Sequence, residues 1–198
     1  MSHDKVYFLT GNLIKLRAIE PDDLPVIYQW YNAQKLTQNT SHHRYPNTLE
    51  KQEKFYQSCQ SDPAHLSLAV ITKEKIVGTV TLLHINHFDQ KAEMAVHVFD
   101  QTKDKTKIAL EAVMLLIHHG FYNLNLNKIY SGMMEGLAGW VVLLVDFFGF
   151  QHEGIRRQDI YKEGRFQDVI QVSLLRSEFE MVLKKTKRKP LDFSIHLK

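Results

Sequence analysis

The stretch that most limits how this chain can fold runs from Glu93 to Tyr122. It reads Glu93-Met94-Ala95-Val96-His97-Val98-Phe99, then a polar loop from Asp100 to Lys107, then Ile108-Ala109-Leu110-Glu111-Ala112-Val113-Met114-Leu115-Leu116. The first run is rich in β-formers. In the last run Ile108, Ala112, Leu115 and Leu116 share one helical face. Strand, polar loop, helix start is a crossover unit, and it also has a chemical use. The first turn of a helix has unpaired N–H groups and a partial positive charge, so it attracts phosphate. Lys103, Lys105 and Lys107 add charge there. The stretch predicts a seat for a phosphate-bearing cofactor. The plainer alternative is a crossover helix with solvated lysines.

The rest of the chain supplies a sheet and its helices. Ile14, Leu16 and Ala18 alternate with Lys15 and Arg17, a strand with one wet face. Glu20-Pro21-Asp22-Asp23 opens a helix, with proline in the first position and two aspartates complementing the dipole. Leu24, Ile27, Tyr28 and Tyr31 form its core stripe, and Trp30 falls off that stripe. Residues 32–47 form a loop, and Asn47 or Thr48 caps a second helix. Strands follow at 66–70 and 76–85, joined by Lys73-Glu74-Lys75, and again at 92–99. Lys128 to Met134 is a strand and Gly136 to Phe148 a buried apolar helix ended by Gly149. Gln167 to Leu175 is a last strand, and Ser177 to Lys185 a short helix. The order β-α-α-β-β-β-α-β-α-β-β is that of one α/β domain with a mixed sheet.

Composition narrows the function classes. At 198 residues and 44% hydrophobic the chain can bury one large core. Its one cysteine, Cys59, allows no internal disulfide, which suits a reducing compartment. Met1-Ser2-His3-Asp4 lacks the basic-then-apolar order of a secretory leader, and no apolar run reaches membrane-spanning length. The expectation is a cytoplasmic protein without a membrane partner. Residues 184–198 hold six of the 25 Lys/Arg and one of the 22 Asp/Glu, so the remainder carries 19 basic against 21 acidic side chains. The division is therefore a domain over 1–183 and a basic tail over 184–198. A solvated tail is a better reading of that segment than a nucleic-acid site.

The order and wording of several phrases resemble the GNAT (general-control-related N-acetyltransferase) superfamily. They are similar above all to its ribosomal-protein, spermidine and amino-sugar acetyltransferase branch. Leu16-Arg17-Ala18-Ile19-Glu20 with Asp23 and Trp30 carries the likeness, with Ile76-Val77-Gly78-Thr79, Glu93, Glu111-Ala112, Gly149-Phe150 and Gly164-Arg165-Phe166. It covers about residues 12–180. The resemblance implies a splayed mixed sheet flanked by helices, and acetyl-CoA as co-substrate. It places the pantetheine arm in a gap beside Val96 and Val98, and the pyrophosphate against Lys103, Lys105, Thr106, Lys107, Ile108 and Ala109. It implies that a Val98 N–H holds the thioester oxygen. The chain departs from the family pattern where Lys107 replaces a glycine and Ala138 an asparagine. Val145 stands for a tyrosine acid, and Val141 for a serine.

Acetyl transfer to an amine needs a free lone pair, so a general base helps. Glu93 is the leading candidate, because the resemblance sets it beside the cleft; the alternative is a strand glutamate paired with a lysine. His97 and His84 are second choices, and Trp30 joins His84 as an acceptor-side residue. Eleven histidines invite a metal reading. His118 and His119 point to different helix faces, however, and no His-Glu-x-x-His or cysteine pair occurs, so no metal is expected. Two readings stay open. One is an enzyme acetylating a small-molecule amine (amino sugar or polyamine) or a protein N-terminus. The other is a degenerate GNAT that binds an acyl-CoA or a protein partner without efficient catalysis. A homodimer is compatible with either.

Overall fold

A computed structural model describes residues 6–40, 45–99 and 104–186. Its strands are β1 (Leu9–Thr10), β2 (Lys15–Ala18), β3 (Leu66–Thr72), β4 (Lys75–Asn86), β5 (Lys91–Val98), β6 (Lys128–Met134), β7 (Gln151–Lys162) and β8 (Arg165–Leu175). Its helices are α1 (Leu24–Asn32), α2 (Leu49–Ser61), α3 (Lys105–Tyr122), α4 (Ala138–Phe148) and α5 (Arg176–Thr186). The strands form one sheet in the order β1-β2-β3-β4-β5-β6-β8-β7. Every pairing is antiparallel except β5 with β6.

Local chemistry explains most boundaries. Lys73 and Glu74 both adopt positive φ, 48° and 62°, so a two-residue turn closes β3 onto β4 with the twist a hairpin needs. The helix expected at Pro21 begins as a 3-10 turn over Pro21–Asp23, and α1 follows it. Asp22 and Asp23 both stand in that first turn, as expected. Asp23 is also buried against Arg17, which donates to it at 2.6 and 2.8 Å. Thr48 rather than Asn47 caps α2, its hydroxyl accepting the Lys51 N–H at 3.2 Å. The Asn47 amide is spent on Gln52 at 2.8 Å.

Two helices also depart from expectation. α3 starts at Lys105, one turn before the apolar stripe announces it. Lysine and threonine at those positions tolerate helix, and only the buried face shows as periodicity. α4 is half-buried, not sunk in the core. Val141, Leu144 and Phe148 are covered, while Val142 is 56% exposed. Gly149 ends it at φ 83°, its N–H reaching the Leu144 and Val145 carbonyls.

Helices cover both faces of the sheet. The main core lies under α3, where Val113, Leu116 and Phe121 meet Val80, Leu82, Ile129 and Phe179. A smaller cluster of Ile19, Leu24, Ile27, Ala69 and Ile71 lies under α1 and α2. Glu111, fully buried in α3, holds the β1–β2 turn by accepting the N–H groups of Asn12 and Leu13. Lys184 and Lys185 belong to the last turn of α5, where cations suit the dipole. The rest of the basic tail, 187–198, lies outside the described residues. Among the described residues no helix is long and apolar enough to cross a membrane.

The feature that makes a site is the parting of β5 from β6. They pair only at Lys91–Lys128, Ala92–Ile129 and Glu93–Tyr130. Beyond Glu93 the strands diverge, and the Ser131 hydroxyl spans the start of the opening to the Met94 carbonyl at 2.8 Å.

Candidate active site

The opening is a cleft of about 640 Å³. Its walls are β5 from Glu93 to Val98 with Phe99 after it, the first turn of α3, β6 from Ser131 to Met134 with Trp140 beyond, Arg156 and Ile160 of β7, and a loop from Lys35 to Thr40. A smaller cavity of about 240 Å³ lies under α1 and α2, lined by Cys59, His65, Ser67 and Thr81. It shares no lining residue with the cleft.

At one end lie the groups expected to hold a cofactor. Lys105, Thr106 and Ala109 line the cleft, and so do Val96 and Val98. The N–H groups of Lys105, Thr106 and Lys107 have no carbonyl within the helix to bind, whereas the Ile108 N–H already meets the Asp104 carbonyl at 2.9 Å. Ile108 is 4% exposed and sits in the core, so neither its side chain nor its N–H reaches the cleft. The Lys107 ammonium lies 3.9 Å from Asp104. Lys103 lies outside the described residues. Past Glu93, β6 no longer covers the edge of β5, so an amide-bearing chain can lie there as an added strand. With the first-turn N–H groups of α3, these residues suit a phosphate-tipped pantetheine arm.

At the other end Glu93 is about one-third exposed, and His84 approaches it at 3.8 Å. His84 itself is 74% exposed and does not line the cleft. His97 does, lying flat on Phe99 with ring centroids 5.6 Å apart. Trp30 stacks on Phe99 at 5.0 Å, and Tyr31 meets that ring edge-on at 5.7 Å. Trp30 is therefore one layer behind the cleft and supports the Phe99 wall. Glu93 and His97 share a face of β5, but four strand residues set their backbones roughly 13 Å apart. They cannot serve one proton together. Tyr130, cross-strand from Glu93, has its phenol pushed up by burial and then by the Glu93 charge.

Several functional contacts have no local signal in the sequence. Lys162, 8% exposed, donates to the Thr37 carbonyl at 2.7 Å and the Thr40 carbonyl at 2.8 Å. It ties the end of β7 to the loop that walls the cleft. Arg165 adds a bond to Glu135 at 2.7 Å, joining the same hairpin to the turn before α4. The three family positions now apolar or small serve other ends. Val141 is core, Val145 is half-buried, and Ala138 opens α4 on the surface. Among the described residues no cluster of three His, Cys, Asp or Glu could hold a metal ion.

Comparison with known proteins agrees with this geometry. A family profile described as an acetyltransferase (GNAT) domain matches residues 16–170. A spermidine N(1)-acetyltransferase of Vibrio cholerae is 27% identical over 168 residues, covering 84% of this chain and 95% of that protein. An uncharacterized N-acetyltransferase, p20, of Bacillus licheniformis is 26% identical over 170 residues, covering 84% and 94%. The crystal structure of spermidine N-acetyltransferase from Vibrio cholerae in complex with CoA and spermine matches with a TM-score of 0.74 at 25% identity. That match covers 85% of this chain and 98% of the other.

Proposed function

The chain belongs to the acetyltransferase (GNAT) domain family and is an acetyl-CoA-dependent N-acetyltransferase; on that premise we propose that its acceptor is a primary amine of single positive charge, not a polyamine. Amino sugars and protein N-termini fit that description. The lining of the cleft carries the proposal. Among its described residues the only carboxylate is Glu93, and the other charged side chains are Lys35, Lys105 and Arg156. With Lys105 set against the cofactor phosphates and Arg156 paired to Asp159, the single carboxylate of the lining offers a polycation only one partner. The relatives named for spermidine acetylation are therefore a guide to the reaction more than to the acceptor.

Bound acetyl-CoA supplies the acetyl thioester. The chain's part is to seat it, to orient the amine and to remove a proton. The α3 N–H groups at Lys105, Thr106 and Lys107 would hold the phosphates, and backbone at Val96 and Val98 the arm. An alkylammonium at neutral pH costs about 4–5 kcal/mol to deprotonate, and Glu93 is the base proposed to take that proton at its carboxylate. A thiol of pKa about 8.5 leaves as thiolate without an acid at Val145. The non-catalytic alternative loses its main motive at Lys107. That residue is helical, and its ammonium turns to Asp104, so it neither strains the backbone nor fills the cleft.

Thiol release measured with spermidine and with glucosamine at equal concentration tests the acceptor. Glucosamine is expected to give the higher kcat/KM; a preference for spermidine removes the single-charge reading. Sedimentation velocity tests the proposed homodimer, and a species at the 23.1 kDa of one chain removes it. Cell fractionation tests the proposed cytoplasmic location.

A further inference from the structure

Gly132 sits in β6 on the wall of the cleft, and two donors from neighbouring strands meet above it. A β-carbon at position 132 would run into the Gln171 side-chain nitrogen and lie 3.0 Å from a Val169 methyl and 3.2 Å from a terminal nitrogen of Arg156. Gln171 stands opposite Gly132 across the β6–β8 ladder, which fixes it there. Its amide nitrogen is buried and has no hydrogen-bond partner among the described residues. A buried amide donor without an acceptor is unfavourable, and native structures rarely leave one without a reason.

Arg156 comes from β7 and lines the cleft. Asp159 takes part of its guanidinium at 3.2 Å, and Arg156 is 55% exposed. A guanidinium has five N–H donors in a planar fork, so one carboxylate contact leaves others to face the cleft. Lys35, on the facing loop, adds a further cation to the same lining. The Gln171 amide fills the space over Gly132, so an oxygen in the cleft would meet the Arg156 cation with that amide donor behind it. Only a residue without a side chain leaves room for that amide.

We propose that Arg156 and Gln171, converging over Gly132, form an oxyanion subsite at the acceptor end of the cleft, so that the amine substrate also carries a carboxylate or phosphate. The inference rests on reading the cleft as the acetyl-transfer site. Glu93 then takes the ammonium end of the acceptor and the subsite its anionic end. A charge-assisted, forked hydrogen bond suits Arg156 to carboxylate or phosphate better than to a neutral hydroxyl.

The test is thiol release at saturating acetyl-CoA with four amines: spermidine, glucosamine, glucosamine 6-phosphate and the dipeptide Ala-Ala. The phosphate and carboxylate arms distinguish the two oxyanion sources. At least one of them should exceed both glucosamine and spermidine in kcat/KM by about tenfold or more, because a site built for a polar group rejects analogues lacking it. Arg156→Met should raise the KM of the preferred amine by about tenfold, leave the KM of acetyl-CoA unchanged and flatten the ranking. Arg156→Lys should recover part of the loss, and Gln171→Met should act in the same direction more weakly. Thermal melts of each variant check that the fold is kept. Equal use of glucosamine and its phosphate with no gain for the dipeptide, or an unchanged ranking in both Met variants, overturns the subsite while acetyl transfer stands. Release of no thiol with any amine overturns the acetyl-transfer reading, and the subsite with it.

Discussion

Single side chains in the cleft divide into those that touch the chemistry and those that hold the cofactor. Glu93 lines the cleft at the point where β5 and β6 part. Glu93→Gln keeps its size but cannot take a proton near neutral pH. The expected outcome is a fall in kcat/KM of roughly 10²–10⁴-fold, with the affinity for acetyl-CoA unchanged and the acidic limb of the pH profile gone. A variant with full activity and an unchanged limb would move the base role elsewhere. At the other end the lysines should not be equivalent. Lys105 lines the cleft, while Lys107 lies against Asp104. Lys105→Glu should therefore weaken CoA binding more than Lys107→Glu, and more at low salt than at high. Isothermal calorimetry at two ionic strengths reads both; equal effects would show that only net charge matters.

Contacts between elements set the walls that those side chains work from. Arg17 of β2 and Asp23 of the turn before α1 are a buried bidentate pair, 3% and 4% exposed. Asp23 also accepts the Glu20 N–H at 2.8 Å. Asp23→Asn removes the charge and leaves the guanidinium buried without its counter-ion. Breaking such a pair from one side typically costs about 3–5 kcal/mol, so chemical denaturation should show a loss of that order. A loss under about 1 kcal/mol would mean that water reaches Arg17. The loop that walls the cleft depends on Lys162 in the same manner. Lys162→Met keeps the apolar stem and removes the donors to Thr37 and Thr40. Hydrogen exchange over residues 34–40 should quicken while that of α3 stays as it was. Unchanged exchange in the loop would show that its own turns suffice.

For the whole molecule, pH is the condition most directly tied to packing. Burial pulls the pKa of His65 and His118 below the ordinary value, and burial followed by the His118 charge does the same for His119. As pH falls, the unfolded chain takes up these protons first. The stability from the neutral histidines is present above about pH 6.5 and is lost as pH drops through their folded values. Glu111 has the opposite sign. Burial raises its pKa against three backbone N–H bonds that lower it, so its contribution is present below the ordinary carboxyl range and fades as pH rises through its folded value. The melting temperature should fall between pH 7.5 and 5.5, and His119→Phe should flatten that slope. A flat profile in the wild type would show that these rings titrate as free histidines do.

What the sequence alone determined is local in origin. The α/β class, most of the strand and helix order and the place of β5 and α3 follow from periodicity, caps and turn residues within a few positions of one another, whereas β7, exposed along nearly its whole length, left no apolar alternation to read. The side of the cleft carrying Glu93, and the cofactor end near Lys105, were legible through ordered phrases of the same kind. What only the tertiary structure decided depends on partners far apart in the chain. Asp23 reads as a helix-start acid, and only the fold brings Arg17 onto it. Nothing local marks Lys162, since its partners at Thr37 and Thr40 lie more than a hundred residues away. The early start of α3 left no periodic trace, because its first turn faces solvent and cleft and buries no stripe. Gln171 and Arg156 meet over Gly132 only because β8 lies between β6 and β7 in the sheet. Strand order is settled by how the two apolar faces are covered at once, and no local window contains that balance.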